Sequence, residues 1–195
     1  SPLALETLRK IVFEDPDVAI QVEATETIAD MADPRAADAL VEIVEKHPVL
    51  QVQMKATEAL ADVSDHKAAL TALDKIARNH PQRAVRIEAL EAMGDFSSDG
   101  AGAMMLIGFL RSNPEEGLGI AALEALADAG APRSVAQFID SLLQSDASLG
   151  LKIEALETLE DLPDEVAVPL LEKYANSSNL NLRAKAAEIL ADKKN

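Results

Sequence analysis

The sequence predicts an all-α chain, a right-handed solenoid of about six helix pairs. Three observations lead there. An alanine followed by glutamate two residues on and aspartate six residues on recurs at Ala24, Ala56, Ala89, Ala122, Ala155 and Ala186. A spacing of 31 to 33 residues held over the whole chain is the mark of a repeat array. Around each alanine the apolar residues fall at helical spacing: Ile20, Val52, Val85, Leu118, Leu151 and Leu182 lie four before it, and Ile28, Leu60, Met93, Leu126, Leu159 and Leu190 four after. Finally, proline and turn residues break the chain about twice in most periods, which makes two helices per repeat.

The elements follow in order. Leu8 and Ile11 mark a first helix over 2–14, and Asp15-Pro16 opens its partner over 17–31. Asp33-Pro34 starts the second pair, 34–46 with Leu40 and Ile43, then His47-Pro48 and 49–63. The third pair covers 66–78, with Leu73 and Ile76, and 82–96 beyond His80-Pro81. The fourth covers 100–112, with Leu106 and Phe109, and 115–129 beyond Asn113-Pro114. Ala131-Pro132 opens the fifth, 132–145 with Ile139 and Leu142, followed by 148–162. Leu162-Pro163 opens the sixth, 164–176 with Leu171 and Tyr174, followed by 179–192. The expected organisation is a single array over 1–195, with repeats at 1–32, 33–64, 65–97, 98–130, 131–162 and 163–195.

Composition narrows the function. A net charge of −16 speaks against nucleic acid, which needs clustered Lys and Arg, and against direct binding to an anionic membrane. Aromatic residues make up 3% and tryptophan is absent, so aromatic anchors are scarce. Without cysteine there are no disulfides, thiolate metal sites or thiol catalysis, but the compartment stays open, with the cytoplasm favoured. No stretch reads as a signal peptide or a membrane span. A start at Ser1-Pro2 without methionine is expected of a piece of a longer protein.

The strongest functional signal is an acidic stripe. Positions i, i+3 and i+7 share a helix face. The residue before each key alanine is Glu23, Lys55, Glu88, Ala121, Glu154 or Lys185; the following glutamates are Glu26, Glu58, Glu91, Glu124, Glu157 and Glu188; the aspartates are Asp30, Asp62, Asp95, Asp128, Asp161 and Asp192. Fifteen of these eighteen slots are acidic and two are lysine. Aspartate at a helix C-terminus meets the negative end of the dipole, at a typical cost of about 0.3–1 kcal/mol. Such a stripe reads as a solvated helix face inherited by repeat duplication, as a ligand-binding surface, or as a set of acceptors for the next turn's backbone N–H groups. His47, His66 and His80 sit at turns and read as turn residues, and two carboxylates on one helix fall short of a calcium shell. No metal, cofactor or activated nucleophile is expected, and no enzyme activity. Six of the eight glycines, Gly94, Gly100, Gly102, Gly108, Gly117 and Gly119, fall within 26 residues, for close packing or for a soft joint.

The segment Val85-Arg86-Ile87-Glu88-Ala89-Leu90-Glu91-Ala92-Met93-Gly94 resembles the inner helix of a HEAT repeat, whose pattern is V-R-x-x-A-x-x-A-L-G. Asp33-Pro34-Arg35-Ala36-Ala37-Asp38-Ala39-Leu40 resembles the turn and outer helix of bacterial HEAT-like arrays. The resemblance implies that the V-R-x-x-A helices line a concave side and that the arginine ties neighbouring repeats. That position holds Arg86, Arg183 and Lys152, but Gln21, Gln53 and Gly119 elsewhere. HEAT-like metalloenzymes carry His-Glu ligand pairs and HEAT-like DNA glycosylases a basic cleft; this chain has neither. The expected function is a protein-interaction scaffold whose acidic concave side takes a basic protein or peptide. The alternatives are a phycobilin-lyase-like chaperone or accessory protein, and a structural spacer or oligomerisation module. Ala184, Ala187 and Lys193 replace apolar residues as a cap requires, whereas Leu3, Leu5, Leu8, Ile11, Val12 and Phe13 leave the first helix little polar surface, so this end is expected either to continue into more of a parent protein or to self-associate with a second molecule.

Overall fold

The computed structural model describes residues 2–193, so Ser1, at which the chain begins, lies outside the described residues. Twelve α-helices and one 3-10 turn are present among them, and no strand. They are α1 (Pro2–Glu14), α2 (Val18–Ala29), α3 (Ala36–Lys46), α4 (Leu50–Ala59) with the 3-10 turn Leu60–Asp62, α5 (His66–Asn79) and α6 (Arg83–Gly94). Then follow α7 (Ala101–Leu110), α8 (Glu116–Asp128), α9 (Pro132–Gln144), α10 (Leu149–Asp161), α11 (Asp164–Ala175) and α12 (Leu180–Lys193). The six helix pairs read from the repeat are all present, with ends moved by a few residues at most.

The chain divides into two compact units, Ser1–Asp95 and Phe96–Asn195, each holding three helix pairs. Within each unit the even-numbered helices pack on one another along their length, while the odd-numbered helices touch sparsely. Each unit therefore curves toward its even-numbered layer. The close approach rests on small residues: Ala56, Ala89, Ala122, Ala155 and Ala186 are fully buried at the centres of the even helices, flanked by Val52, Leu60, Val85, Met93, Leu118 and Leu126. Between the layers, Leu40, Ile43, Leu73, Leu106, Phe109, Ile139 and Leu171 seal the core. Burying such side chains is worth roughly 1.5–3 kcal/mol each relative to leaving them exposed.

Local chemistry fixes where the helices begin. Asp17, Asp65 and Ser148 cap α2, α5 and α10 by accepting N–H bonds from Ala19, Ala68 and Leu151. Gly100 and Gly130 have left-handed backbones, at φ +70° and +80°. A Cβ on Gly130 would come within 2.3 Å of the Ser97 carbonyl oxygen, and one on Gly119 within 2.7 Å of the Leu151 side chain. Packing and turn geometry thus account for Gly100 and Gly119, whereas a Cβ on Gly108 would point into open space.

Candidate functional site

All fifteen carboxylates of the stripe lie on the even-numbered helices or at their C-terminal ends, the face toward which each unit curves. The six aspartates are exposed, as are Glu23, Glu26, Glu58, Glu91, Glu124 and Glu188; Glu88, Glu154 and Glu157 are half-buried. Asp30, Asp62, Asp128, Asp161 and Asp192 accept no backbone N–H from a following turn among the described residues. That task falls to Asp17, Asp33, Asp65 and Asp99 instead.

The residue before the key alanine gives the stripe its pattern. Lys55 donates to Glu58 of its own helix at 2.7 Å and to Glu26 of the preceding repeat at 3.0 Å. Lys185 repeats the arrangement, with Glu188 at 3.5 Å and Glu157 of the preceding repeat at 2.8 Å. Each lysine is a clamp between two repeats. Glu88 and Glu154 occupy the same register, so each brings a third carboxylate between two others. Burial raises the Glu88 carboxyl above the ordinary range, and the charges of Glu91, Glu58 and Asp95 raise it further, against the pull of Lys55. Burial likewise raises Glu154, reinforced by Glu157 and Glu124 and opposed by Lys185. Each unit therefore carries one lysine clamp and, in the repeat beside it, one half-buried glutamate set among other acids. The two lysines were legible in the sequence as breaks in the stripe; that each bridges two repeats was not.

A second correction concerns the arginine position. The resemblance implied a tie between neighbouring repeats. Instead Arg86 Nε donates to Ala77 O at 2.7 Å and Lys152 Nζ to Ser145 O at 2.6 Å, each within its own helix pair. Gln21 and Gln53 do the same work, donating to Asp15 O and His47 O at 2.7 Å. The position closes the turn inside four of the six repeats, whereas Arg183 makes no such bond among the described residues and Gly119 has no side chain to make one.

Ties between repeats come from residues read as plain turn histidines. His47 is buried, with Nε2 3.0 Å from Val12 O at the end of α1, while Nδ1 accepts the Val49 N–H at 3.2 Å. The accepting Nδ1 leaves the proton on Nε2, which donates to Val12. One period later, His80 makes the same pair of contacts, to Val44 O at 3.3 Å and from Gln82 N–H at 3.2 Å. The two His-Pro dipeptides, 33 residues apart, were the available clue. In the second unit Tyr174 takes a similar part, its hydroxyl donating to Asp140 at 2.8 Å.

Among the described residues no three His, Asp or Glu side chains are placed to hold a metal ion. No described helix is long and apolar enough to cross a membrane.

A layered array of helix pairs with one chemically marked layer defines the class: an α-helical repeat scaffold. The chain belongs to the HEAT-repeat family, whose profile, HEAT repeats, matches residues 5–94 and 70–150. Among solved structures it is similar to the complex of CpcE and CpcF of phycocyanin lyase from Nostoc sp. PCC7120, at 22% identity and a TM-score of 0.52, over 97% of this chain and 75% of that one. At that identity the likeness establishes the fold alone. An engineered protein aligns at 23% identity and a TM-score of 0.45, over 98% of this chain and 58% of that one. A search of curated proteins gives no match.

Proposed function

We propose that the chain is a non-enzymatic protein-interaction scaffold whose even-numbered helices receive a basic segment of a partner protein. The observation that carries this reading is the pair of half-buried carboxylates, Glu88 in one unit and Glu154 in the other, each raised by burial and by the acids around it more than the lysine of the adjacent repeat lowers it. The repulsion around each opposes folding, and a partner's lysine or arginine in the Lys55 register would relieve it. A chromophore-handling role like that of phycocyanin lyase calls for an aromatic or wholly apolar lining, and carboxylates border these helices instead. A protein partner is in keeping with the two-subunit complex to which the chain is similar.

The test is fluorescence anisotropy with a labelled Lys- and Arg-rich peptide. Paired E88Q/E154Q substitution is compared with E14Q/E172Q, which removes as much charge from odd-numbered helices. Weaker binding in the first variant alone supports the proposal. Equal weakening in both would reduce the effect to net charge, and the spacer reading would then stand.

A further inference from the structure

The even-numbered layer carries an apolar row beside its acids. Two residues before the key alanines stand Val22, Met54 and Ile87 in the first unit and Ile120 and Ile153 in the second, all half-buried. Each lies four residues ahead of a stripe glutamate. The two rows therefore share one helix face, about 6 Å apart along each even helix. One turn earlier, Leu50, Leu149 and Leu180 open α4, α10 and α12 and are 42%, 44% and 66% exposed. Leu50 and Leu149 extend the row, because residues four apart are neighbours on a helix surface. Val18 holds the same place in α2, Arg83 in α6 and Glu116 in α8. Leucines left this open add little to the packing of the chain itself.

The charge of the same face is one-sided. The stripe sets eight acids in the first unit and seven in the second against one lysine each. Arg83, Arg86, Lys152, Arg183 and Lys193 of the even helices do not reverse that excess. An occupant of this face must bring apolar side chains to one row and positive charge to the other.

We propose that the partner segment is an amphipathic basic helix lying along the even-numbered layer of a unit, its apolar side on this row and its Lys or Arg side on the glutamates. The proposal rests on the scaffold reading and specifies the segment which that scaffold receives. Packed helices lie about 8–10 Å apart, so successive repeats present the row at that interval. An α-helix returns a side chain to the same face after seven residues, about 10.5 Å along its axis. A β-strand covers the interval in about three residues, which turns the side chain to the opposite face. A helix is also about 10 Å across, wide enough to lie on both rows at once.

The test is fluorescence anisotropy of the full chain with two labelled peptides of identical Leu and Lys composition. Each has about 14 residues, long enough as a helix to cross three even helices. In one the leucines fall on a single helical face, and in the other their order is scrambled. The segregated peptide is expected to bind about fivefold more tightly or better. L50S/L149S, at exposed positions, should cut that preference severalfold and leave the melting temperature unchanged, and M54Q/I153Q should abolish it. Equal binding of the two peptides, both weakened by E88Q/E154Q, would overturn the amphipathic partner and leave the basic-segment reading standing. Absence of binding by either peptide would overturn both. A preference that survives L50S/L149S unchanged would overturn this row as its origin, which keeps the test decisive should M54Q/I153Q not fold.

Discussion

Glu88 and Lys55 stand in the same register one repeat apart, and the difference between them sets the electrostatics of the even-numbered layer. E88K should convert a repelling cluster into a clamp between Glu58 and Glu91, as Lys55 does between Glu26 and Glu58. A gain of about 0.5 kcal/mol is expected, since a half-buried pair stays partly screened; a loss on urea titration would mean that the register does not transfer. The pH dependence has a definite sign. The folded-state Glu88 carboxyl titrates above the ordinary carboxylate value, so its cost is full at neutral pH and vanishes as acidification protonates it. E88Q should thus melt higher than the parent at pH 7, and the difference should close toward pH 4. Asp33 behaves oppositely. The hydrogen bond from the Arg35 side chain lowers it to about 2, so its contribution is complete above pH 3.8 and lost as pH falls through about 2. Backbone geometry adds a contrast between neighbours. Ala131 sits at φ +51°, strained for a residue with a side chain, whereas Gly130 at φ +80° abuts Ser97 O. A131G should stabilise by about 0.5–1 kcal/mol and G130A destabilise by about 2 kcal/mol or more, by chemical denaturation.

At the scale of elements, four of the six helix pairs are closed by a polar bond from one shared position, and His47, His80 and Tyr174 link three pairs to the one before. Gln21, Gln53, Arg86 and Lys152 close their own turns, which explains why the position tolerates such different side chains. His47 links α1 to the turn before α4, using both ring nitrogens. H47A should leave the Val12 carbonyl and the Val49 N–H without their partner, at about 1–3 kcal/mol. Hydrogen exchange should then speed up mainly in α1 and α2, because the lost bond is the buried one among the polar ties to α3 and α4, the others being Arg9–Glu42 and Lys55–Glu26 near the surface. Uniform acceleration through the first unit would show that the pair has no separate stability. The glycine-rich stretch is subject to the same measurement. Gly100 and Gly119 are explained by backbone angle and close approach, whereas Gly108 has open space about it and is the place where a soft joint would be sought first.

For the molecule as a whole, one chemical property follows from repetition: a surface position written once per repeat becomes a row in each unit. Binding of a basic peptide to these rows should weaken steeply between low and physiological salt. Salt-independent affinity, by the same anisotropy assay, would remove the electrostatic basis of the proposed function.

The sequence by itself determined the all-α class, the helix pairs, the alanine-lined packing and the placement of the acids on every second helix. Each follows from a local rule, periodicity or a breaking residue, repeated until chance is excluded. Tertiary structure alone decided what the acids do. Glu58 meets Lys55 of its own helix and Glu88 of the next repeat, and the second neighbour stands across helices that a linear reading does not align in space. The same holds for His47, whose partner lies 35 residues away. Local propensity writes the elements; the distance between side chains on neighbouring elements writes the site.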